Sequence, residues 1–436
     1  MPMEMMIPNE VREVIDVIKQ NGYQAYLVGG SIRDTLLNKK PHDYDITTDA
    51  KLEILKEIFK DYHQIHNSGE KHSTLTVKIN DEIIEVTSFK STKENPTIID
   101  DLACRDITIN SIAYDLNLGL IDPFGGVDHI ANKIIKANNP YERFSEDYLR
   151  ILRCLRFASK FGYEIEKTTN QAIFSLKDNL KLMAKERINV ELKGILEGPN
   201  VFQILDEYRE VISEVIPEIA LMFDFNQNNP YHQYDVYTHT LYVVNNTKPD
   251  FVTRMAALLH DVAKPLCYTE EIKDGKVSGH FYGHAEEGKK LSRKILQRLR
   301  YPNKEIEEIC YLIEYHDYNL LPSKKMIKRI LSKTPDHSLE LFQKLLDLKQ
   351  ADNLAHKVLK EIDFIAINQI AVEIIEEENC LSVKDLKING YDLLDLGFEG
   401  VIIGDILDAL LDKVVGEEIS NVKADLIEYV KMNYFK

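Results

Sequence analysis

The sequence predicts an α+β protein, a head of about 140 residues built on a small mixed sheet followed by an all-α remainder. Two observations carry this. Up to Pro140 the apolar residues follow both the two-residue period of strands and the helical period, and after it nearly everything reads with helical spacing. The 436 residues, 44% hydrophobic and 29% charged, suffice for more than one core, and no apolar run approaches the ~18 residues of a membrane span.

The elements of the head follow in order. Val11, Val14, Ile15 and Ile18 form a helical stripe that Asn21-Gly22 closes. Gln24 to Val28 is short and β-prone and leads into Gly29-Gly30, a strand-to-helix switch. Leu75, Val77 and Ile79 alternate with Thr74, Thr76 and Lys78, and Asn80-Asp81-Glu82 turns the chain into Ile83 to Phe89, an antiparallel hairpin. Asn138-Asn139-Pro140 and Asn226 to Pro230 mark joints, and the histidine-rich stretch ends at His356, which together give four segments: 1–140, 141–225, 226–357 and 358–436.

The net charge of −17 argues against indiscriminate binding to DNA or anionic membranes. Basic residues are instead concentrated locally, at Arg150, Arg153, Arg156 and Lys160, and at Lys181, Lys185 and Arg187. Met1 to Met6 lack a basic segment followed by an apolar one, and the five cysteines are scattered without a Cys-x-x-Cys pair, so a reducing cytoplasm is the expected location.

Asp43 and Asp45 flank Tyr44 on an extended stretch and point to the same side. Two carboxylates so close call for a cation, and oxygen ligands that leave room for phosphate and water suit Mg²⁺. Glu85, on the strand face opposite Ile84 and Val86, is a candidate third ligand. Gly29 and Gly30 let backbone amides approach phosphate, and Ser31 adds a hydroxyl donor. Asp147 and Arg150, three apart on a predicted helix beginning near Ser145, share a face. One accepts and the other donates, a pattern that matches the Watson–Crick edges of cytosine and adenine and mismatches uracil and guanine.

Leu27 to Ile46, Cys104 to Asn110, Asp122 to Gly126, Glu146 to Arg153 and Lys185 to Ile188 resemble, in order, the motifs of class II tRNA nucleotidyltransferases (CCA-adding enzymes) and bacterial poly(A) polymerases. The resemblance implies a polymerase-β-like nucleotidyltransferase head. Asp43 and Asp45 would be its metal ligands and Glu85 its further catalytic carboxylate. Gly29, Gly30, Ser31, Arg33, Arg105, Asp106, Asp147, Arg150, Arg153 and Arg156 would bind CTP and ATP, with the tRNA 3′ end as acceptor. Lys185, Glu186 and Arg187 match a helix that supports the nucleotide pocket. Cys104 stands where the family usually has arginine, a deficit that Lys90 or Arg153 would make good. Only Lys90 to Ile99 separate the strand carrying Glu85 from Asp100-Asp101-Leu102. A loop so short resembles the branch that adds only CC and leaves the final A to a partner enzyme, so both products stay open. A poly(A) polymerase is the nearest alternative.

Eight of the 13 histidines lie between His232 and His356, a bias that asks for metal. His260-Asp261, after Met255-Ala256-Ala257-Leu258-Leu259, resembles the HD phosphohydrolase signature. His239, His260, Asp261 and Asp352 would form one site, His284 and His316 a second, for Mn²⁺, Ni²⁺, Co²⁺, Fe²⁺ or Zn²⁺. Such a domain hydrolyses phosphoesters, including 2′,3′-cyclic phosphates, in several bacterial relatives of this kind. Lys264 is placed to meet a phosphate oxygen, and His280 and Asp317 are secondary candidates. A protein that is mainly an HD phosphohydrolase with an RNA-binding head is the reading from a different class. For the segment after Asp352 the expectation is helices packed on the HD domain, or a docking tail.

Overall fold

The computed structural model describes residues 5–41, 43–65, 73–91, 93–273, 276–377 and 380–435. Met1 to Glu4, read above for a leader, and Thr92 in the predicted short loop lie outside the described residues. The chain divides into two compact units, residues 1–200 and 201–436.

The first unit opens with α1 (Asn9–Gln20), whose stripe Val11, Val14, Ile15 and Ile18 is fully buried and which Asn21 and Gly22 end, Gly22 at φ +89°. Strand β1 (Ala25–Val28) runs into α2 (Gly30–Leu36) through Gly29, whose φ of +75° and ψ of −134° suit glycine alone. Next come β2 (Tyr44–Thr48), α3 (Leu52–Ile58) and β3 (His63–Ile65), then β4 (Thr74–Ile79) and β5 (Glu82–Ser88). The last two form the predicted antiparallel hairpin, with Ile79 opposite Glu82 and Asn80 at φ +53° in the tight turn. Helix α4 (Ile98–Ala103) precedes β6 (Ala113–Asp115) and β7 (Gly119–Ile121). The seven strands lie in the order β3-β4-β5-β2-β1-β6-β7, and β2 pairs parallel with β5 while its other neighbour β1 is antiparallel. That register sets Asp45 beside Glu85 at the same level of the sheet.

Helix α5 (Gly126–Ala131) leads to β8 (Ile134–Ile135), which pairs with β9 (Glu164–Ile165). Between those two short strands lie α6 (Pro140–Glu146) and α7 (Leu149–Phe161), and after them α8 (Lys167–Leu176) and α9 (Lys185–Leu196). The predicted joint at Pro140 does not divide the compact units, because β8 and β9 pair across it and Arg153 of α7 meets Asp106 Oδ2 at 2.6 Å, while α7 and α9 in turn pack closely together. Arg156 Nε meets Glu191 Oε2 at 2.6 Å, Ser159 Oγ donates to the Ile195 carbonyl, and a Cβ on Gly194 would fall 2.4 Å from Arg156 Cδ. Four helices therefore belong with the sheet.

The second unit contains α10 (Val201–Glu207), α11 (Arg209–Ser213), α12 (Val236–Asn246) and α13 (Phe251–Leu259). A hairpin of β10 (Thr269–Lys273) and β11 (Lys276–His280) then departs from the all-α expectation. Its sequence carried the signal: β-prone residues flank an Asp274-Gly275 dipeptide, which helical bookkeeping over the region passes over. The rest is α14 (His284–Arg298), α15 (Asn303–Tyr315), α16 (Lys324–Leu331), α17 (Leu339–Ala355), α18 (Phe364–Glu376), α19 (Gly390–Asp395), α20 (Ile402–Val415) and α21 (Lys423–Tyr434). Leu393, Ile406, Leu410, Leu426 and Val430 close a separate apolar cluster at the C-terminal end. Helix α18 packs on α16 and α17, and α20 packs on α16.

Candidate active sites

The strand-to-helix switch at Gly29 opens on a cleft of about 810 Å³ in the first unit. Gly29, Gly30, Arg33, Asp45, Arg105, Asp106, Asp147, Arg150 and Arg153 line it, so nine of the residues proposed from sequence come together. A Cβ at Gly29 would fall 3.2 Å from Asp45 Oδ2 and 3.4 Å from an Arg105 guanidinium nitrogen. The missing side chain is what leaves the backbone open between a carboxylate and a cation. Burial raises the Asp45 carboxyl above its ordinary range, with Asp43 adding to the rise while Arg105 and Lys90 oppose it. Glu85 is raised by desolvation, then by Asp45 and Asp43. Asp43 and Glu85 stand outside the lining of the cleft but bear on Asp45 through their charge. Three mutually repelling carboxylates fit a divalent cation, whose charge would relieve each of them.

Nearly every other charge in the cleft is already paired. Arg105 holds Asp101 Oδ2 at 3.0 Å, and Arg33 bonds Asp34 and donates to Asn110 Oδ1 at 2.6 Å. Asp106 accepts from Ile107 N, Asn110 and Arg153, the last at 2.6 Å. Burial works against its ionisation, yet the Arg153 charge and these hydrogen bonds together lower its carboxyl below the ordinary value. Lys90 is the exception. It lines the cleft and makes no side-chain ion pair or hydrogen bond among the described residues, while its backbone N–H donates to Asp101 Oδ1 at 2.9 Å. Asp101, which sequence reading missed, thus aims Arg105 and tethers Lys90 from a fully buried position. Cys104 also lines the cleft.

Three expectations change. Ser31 is buried and its hydroxyl donates to the Val28 carbonyl, because a helix's first-turn hydroxyl easily reaches back along the chain, so it does not face the cleft. Arg156 is outside the lining, drawn away by Glu191 and stacked 4.2 Å over Phe157. Asp147 lies in a break between helices, with φ −154° after α6 and two residues before α7, so Asp147 and Arg150 do not share a continuous helix. Their side chains do not pair with each other. Asp147 Oδ2 takes Arg187 at 2.6 Å and its Oδ1 takes Leu149 N, while Arg150 pairs with Glu146 at 3.2 Å. Arg187 itself lines the cleft, which gives the support expected of its helix a direct form.

In the second unit, all six predicted histidine and aspartate ligands converge. His239 Nε2 lies 2.9 Å from Asp352 Oδ1 and 3.7 Å from Asp261 Oδ2. His260 Nε2 is 3.1 Å from Asp261 Oδ2, and His284 and His316 reach Asp261 Oδ1 at 3.5 and 3.8 Å and each other at 3.3 Å. Asp352 is half-buried and the other five are buried. The three histidines around Asp261 are aimed alike: Nδ1 of His260, His284 and His316 bonds the carbonyl three residues earlier, at 2.7, 2.8 and 2.6 Å, so each Nε2 faces inward. His260 Nε2 and both Asp261 carboxylate oxygens make no hydrogen bond, although Lys264 ion-pairs with Oδ2. Buried ligand atoms without partners fit a transition-metal cation. Burial opposes ionisation of Asp261, but His260 and Lys264 hold its carboxyl well below the ordinary range, whereas burial with His260 and His284 nearby keeps His316 neutral.

Lys264 is not free to meet a phosphate. It is buried, with Nζ 2.7 Å from Asp261 Oδ2 and donating to Gln227 Oε1. His280 faces Glu271 on the hairpin, and Asp317 is exposed at a neighbouring cavity of about 320 Å³ that also reaches Asp352 and His316. His232 and His356, absent from the predicted ligands, lie against His239.

Family models match most of the chain in three pieces. The poly(A) polymerase head domain matches residues 25–136, the "Probable RNA and SrmB- binding site of polymerase A" matches 162–222, and tRNA nucleotidyltransferase domain 2 matches 284–430. A CCA-adding enzyme of Staphylococcus saprophyticus is 29% identical over 96% of this chain and 97% of its own length. That of Enterococcus faecalis is 40% identical over 44% of this chain and 51% of its own. The crystal structure of the Bacillus stearothermophilus CCA-adding enzyme in complex with CTP superposes with a TM-score of 0.70 at 26% identity, covering 98% of this chain and 99% of that one.

Proposed function

Because the chain belongs to the class II tRNA nucleotidyltransferase and poly(A) polymerase family and is a tRNA nucleotidyltransferase, we propose that it adds CCA to the tRNA 3′ end from CTP and ATP, releasing pyrophosphate. One observation carries the reading: a single cleft gathers the glycine switch, the Asp45 carboxylate, the arginine set and the Asp147 segment. Asp43, Asp45 and Glu85 would hold Mg²⁺, which when bound neutralises phosphate charge and acidifies a hydroxyl. Gly29 and Gly30 admit the triphosphate against the backbone. Arg105, aimed by Asp101, and Lys90, whose side chain has no ion-pair or hydrogen-bond partner among the described residues, take its oxygens, and Lys90 supplies the positive charge that Cys104, standing for arginine, does not. Asp147 and Arg150 select the base. Arg187 holds Asp147 until a cytosine or adenine amino group takes its place.

The test is extension of a tRNA transcript lacking CCA, with Mg²⁺, CTP and ATP, resolved nucleotide by nucleotide. Growth by three supports full CCA addition. A stop at two identifies the CC-adding branch, which the nine residues between β5 and α4 favour, and calls for an A-adding partner enzyme. A ladder of adenylates overturns the proposal in favour of a poly(A) polymerase.

A second activity is supported by the convergence of six ligand residues, centred on Asp261, whose buried Oδ1 makes no hydrogen bond. The cluster of His239, His260, Asp261, His284, His316 and Asp352 would hold Mn²⁺, Ni²⁺, Co²⁺, Fe²⁺ or Zn²⁺ and hydrolyse phosphoesters such as a 2′,3′-cyclic phosphate at an RNA end. Metal-dependent opening of the cyclic phosphate, in which water adds to phosphorus and one ribose hydroxyl leaves so that the RNA end keeps a 2′- or 3′-monophosphate, is the expected result, and Asp261→Ala should abolish it. Unchanged hydrolysis in that variant refutes it.

A further inference from the structure

Two histidines adjoin the carboxylate-centred cluster without taking part in it. His232, ahead of α12, and His356, just beyond α17, stand with their ring centroids 4.6 Å apart. Each also packs against His239, at 5.3 and 5.2 Å. One ligand atom from each of the three lies within 4.8 Å of the others. The backbone clamps the two flanking segments together through Lys357 N–H donating to the Tyr231 carbonyl at 3.0 Å.

His356 is aimed as the histidines around Asp261 are: its Nδ1 bonds a main-chain carbonyl, that of Asp352, at 2.9 Å, which leaves Nε2 as the ligating atom. His232 Nδ1 is buried and has no hydrogen-bond partner. Three imidazoles pressed together around an unsatisfied nitrogen are a poor core and a good ligand set. We propose that His232, His239 and His356 form a second transition-metal site of three imidazoles, suited to a Zn²⁺-class ion and distinct from the ion held around Asp261.

Nitrogens around tetrahedral zinc lie roughly 3.4 Å apart at bond lengths of about 2.0–2.1 Å, so side-chain rotations close the present spacing. An imidazole nitrogen has one lone pair, so His239, also one of the hydrolase ligands, goes to this ion when both sites are filled, and His260, Asp261, His284, His316 and Asp352 remain as five donors for the other. The proposed hydrolase site and the three-imidazole site meet at His239 and at Asp352, whose carbonyl bonds His356 Nδ1.

The test counts metal. Full-length protein freed of metal by chelation is dialysed against Zn²⁺ and the ions per chain are measured, with Co²⁺ absorption as a report on ligand type. The double variant His232→Ala, His356→Ala and the milder His356→Gln are expected to bind one ion fewer than the unsubstituted protein. Asp261→Ala is expected to keep the three-imidazole ion and its Co²⁺ band, a readout that does not depend on the folding of the histidine variants. If the histidine variants hold as much zinc as the unsubstituted protein, the three-imidazole site alone falls. If the unsubstituted protein takes up no transition metal, the proposed hydrolase falls with it.

Discussion

The two candidate sites solve the problem of concentrated charge in opposite ways. In the head, Arg33, Arg105, Arg150, Arg153 and Arg187 each have a carboxylate partner on the protein, and only Lys90 lacks one among the described residues. In the second unit the ligand atoms are buried and several are unpaired. A site whose charges already satisfy one another stays shaped while a charged substrate enters and leaves, and exchanges partners at little cost. A cluster of buried unpaired ligands is costly to fold without its ion, which suits a cation bound for the life of the protein.

Loss of a carboxylate from the head is the severest way to separate the two sites. Asp45→Ala should reduce nucleotide incorporation by about 10³-fold or more, on the scale of several kcal/mol of lost charge stabilisation, and leave cyclic-phosphate hydrolysis unchanged. Parallel loss of both activities in gel extension and cyclic-phosphate hydrolysis assays would break the comparison.

Arg187→Ala tests the paired character of the cleft. It leaves Asp147 with only its Leu149 hydrogen bond, and incorporation of CTP relative to UTP should fall by about 10-fold, the worth of one hydrogen bond whose partners are partly exposed. Single-turnover rates with each nucleotide measure it, and an unchanged ratio would mean that Arg187 serves only to pack its helix.

Lys90→Ala touches no protein partner among the described residues, so the protein should remain as stable as before. The KM for CTP should nevertheless rise by about 10-fold, as for one charge-assisted hydrogen bond to phosphate. A drop in melting temperature with unaltered KM would contradict the assignment.

The smallest effect concerns stability against pH. The Asp106 carboxyl is lower in the folded protein than its ordinary 3.8, so its ion pair stabilises fully above the unfolded value and is lost as pH falls through the folded one. Asp106→Asn should therefore lower stability by about 1–2 kcal/mol near neutrality, and the gap should close as the pH falls through that range. Denaturant titrations across pH 2–7 check the convergence; a gap that persists at the acid end would place the loss in packing.

How much of this was legible in the chain differs with the reach of each interaction. The side-by-side placement of Asp45 and Glu85 was readable because strand alternation places a side chain from its immediate neighbours alone, whereas Asp43 precedes β2 and stands outside the lining of the cleft. The His260-Asp261 pair was readable because its two members are adjacent. The Asp147 partner was not, since a helix break at one residue rotates a side chain off the face that i,i+3 spacing assigns. Ser31 was misplaced because a hydroxyl can turn to its own backbone as easily as to a ligand. Asp101 carried no motif: its importance lies in being fully buried beside Arg105 and Lys90, and burial is a property of the folded chain.

The sequence by itself determined the α+β head, the helical remainder, the order of motifs and the chemical kinds of group at both sites. These rest on periodicity and composition, which are local. Tertiary structure alone decided which charge meets which: Asp147 with Arg187 across 40 residues, His239 with Asp352 across 113, and Lys90 with no partner among the described residues. Such pairings depend on how elements distant in the chain come to pack, and on which polar groups that packing removes from water.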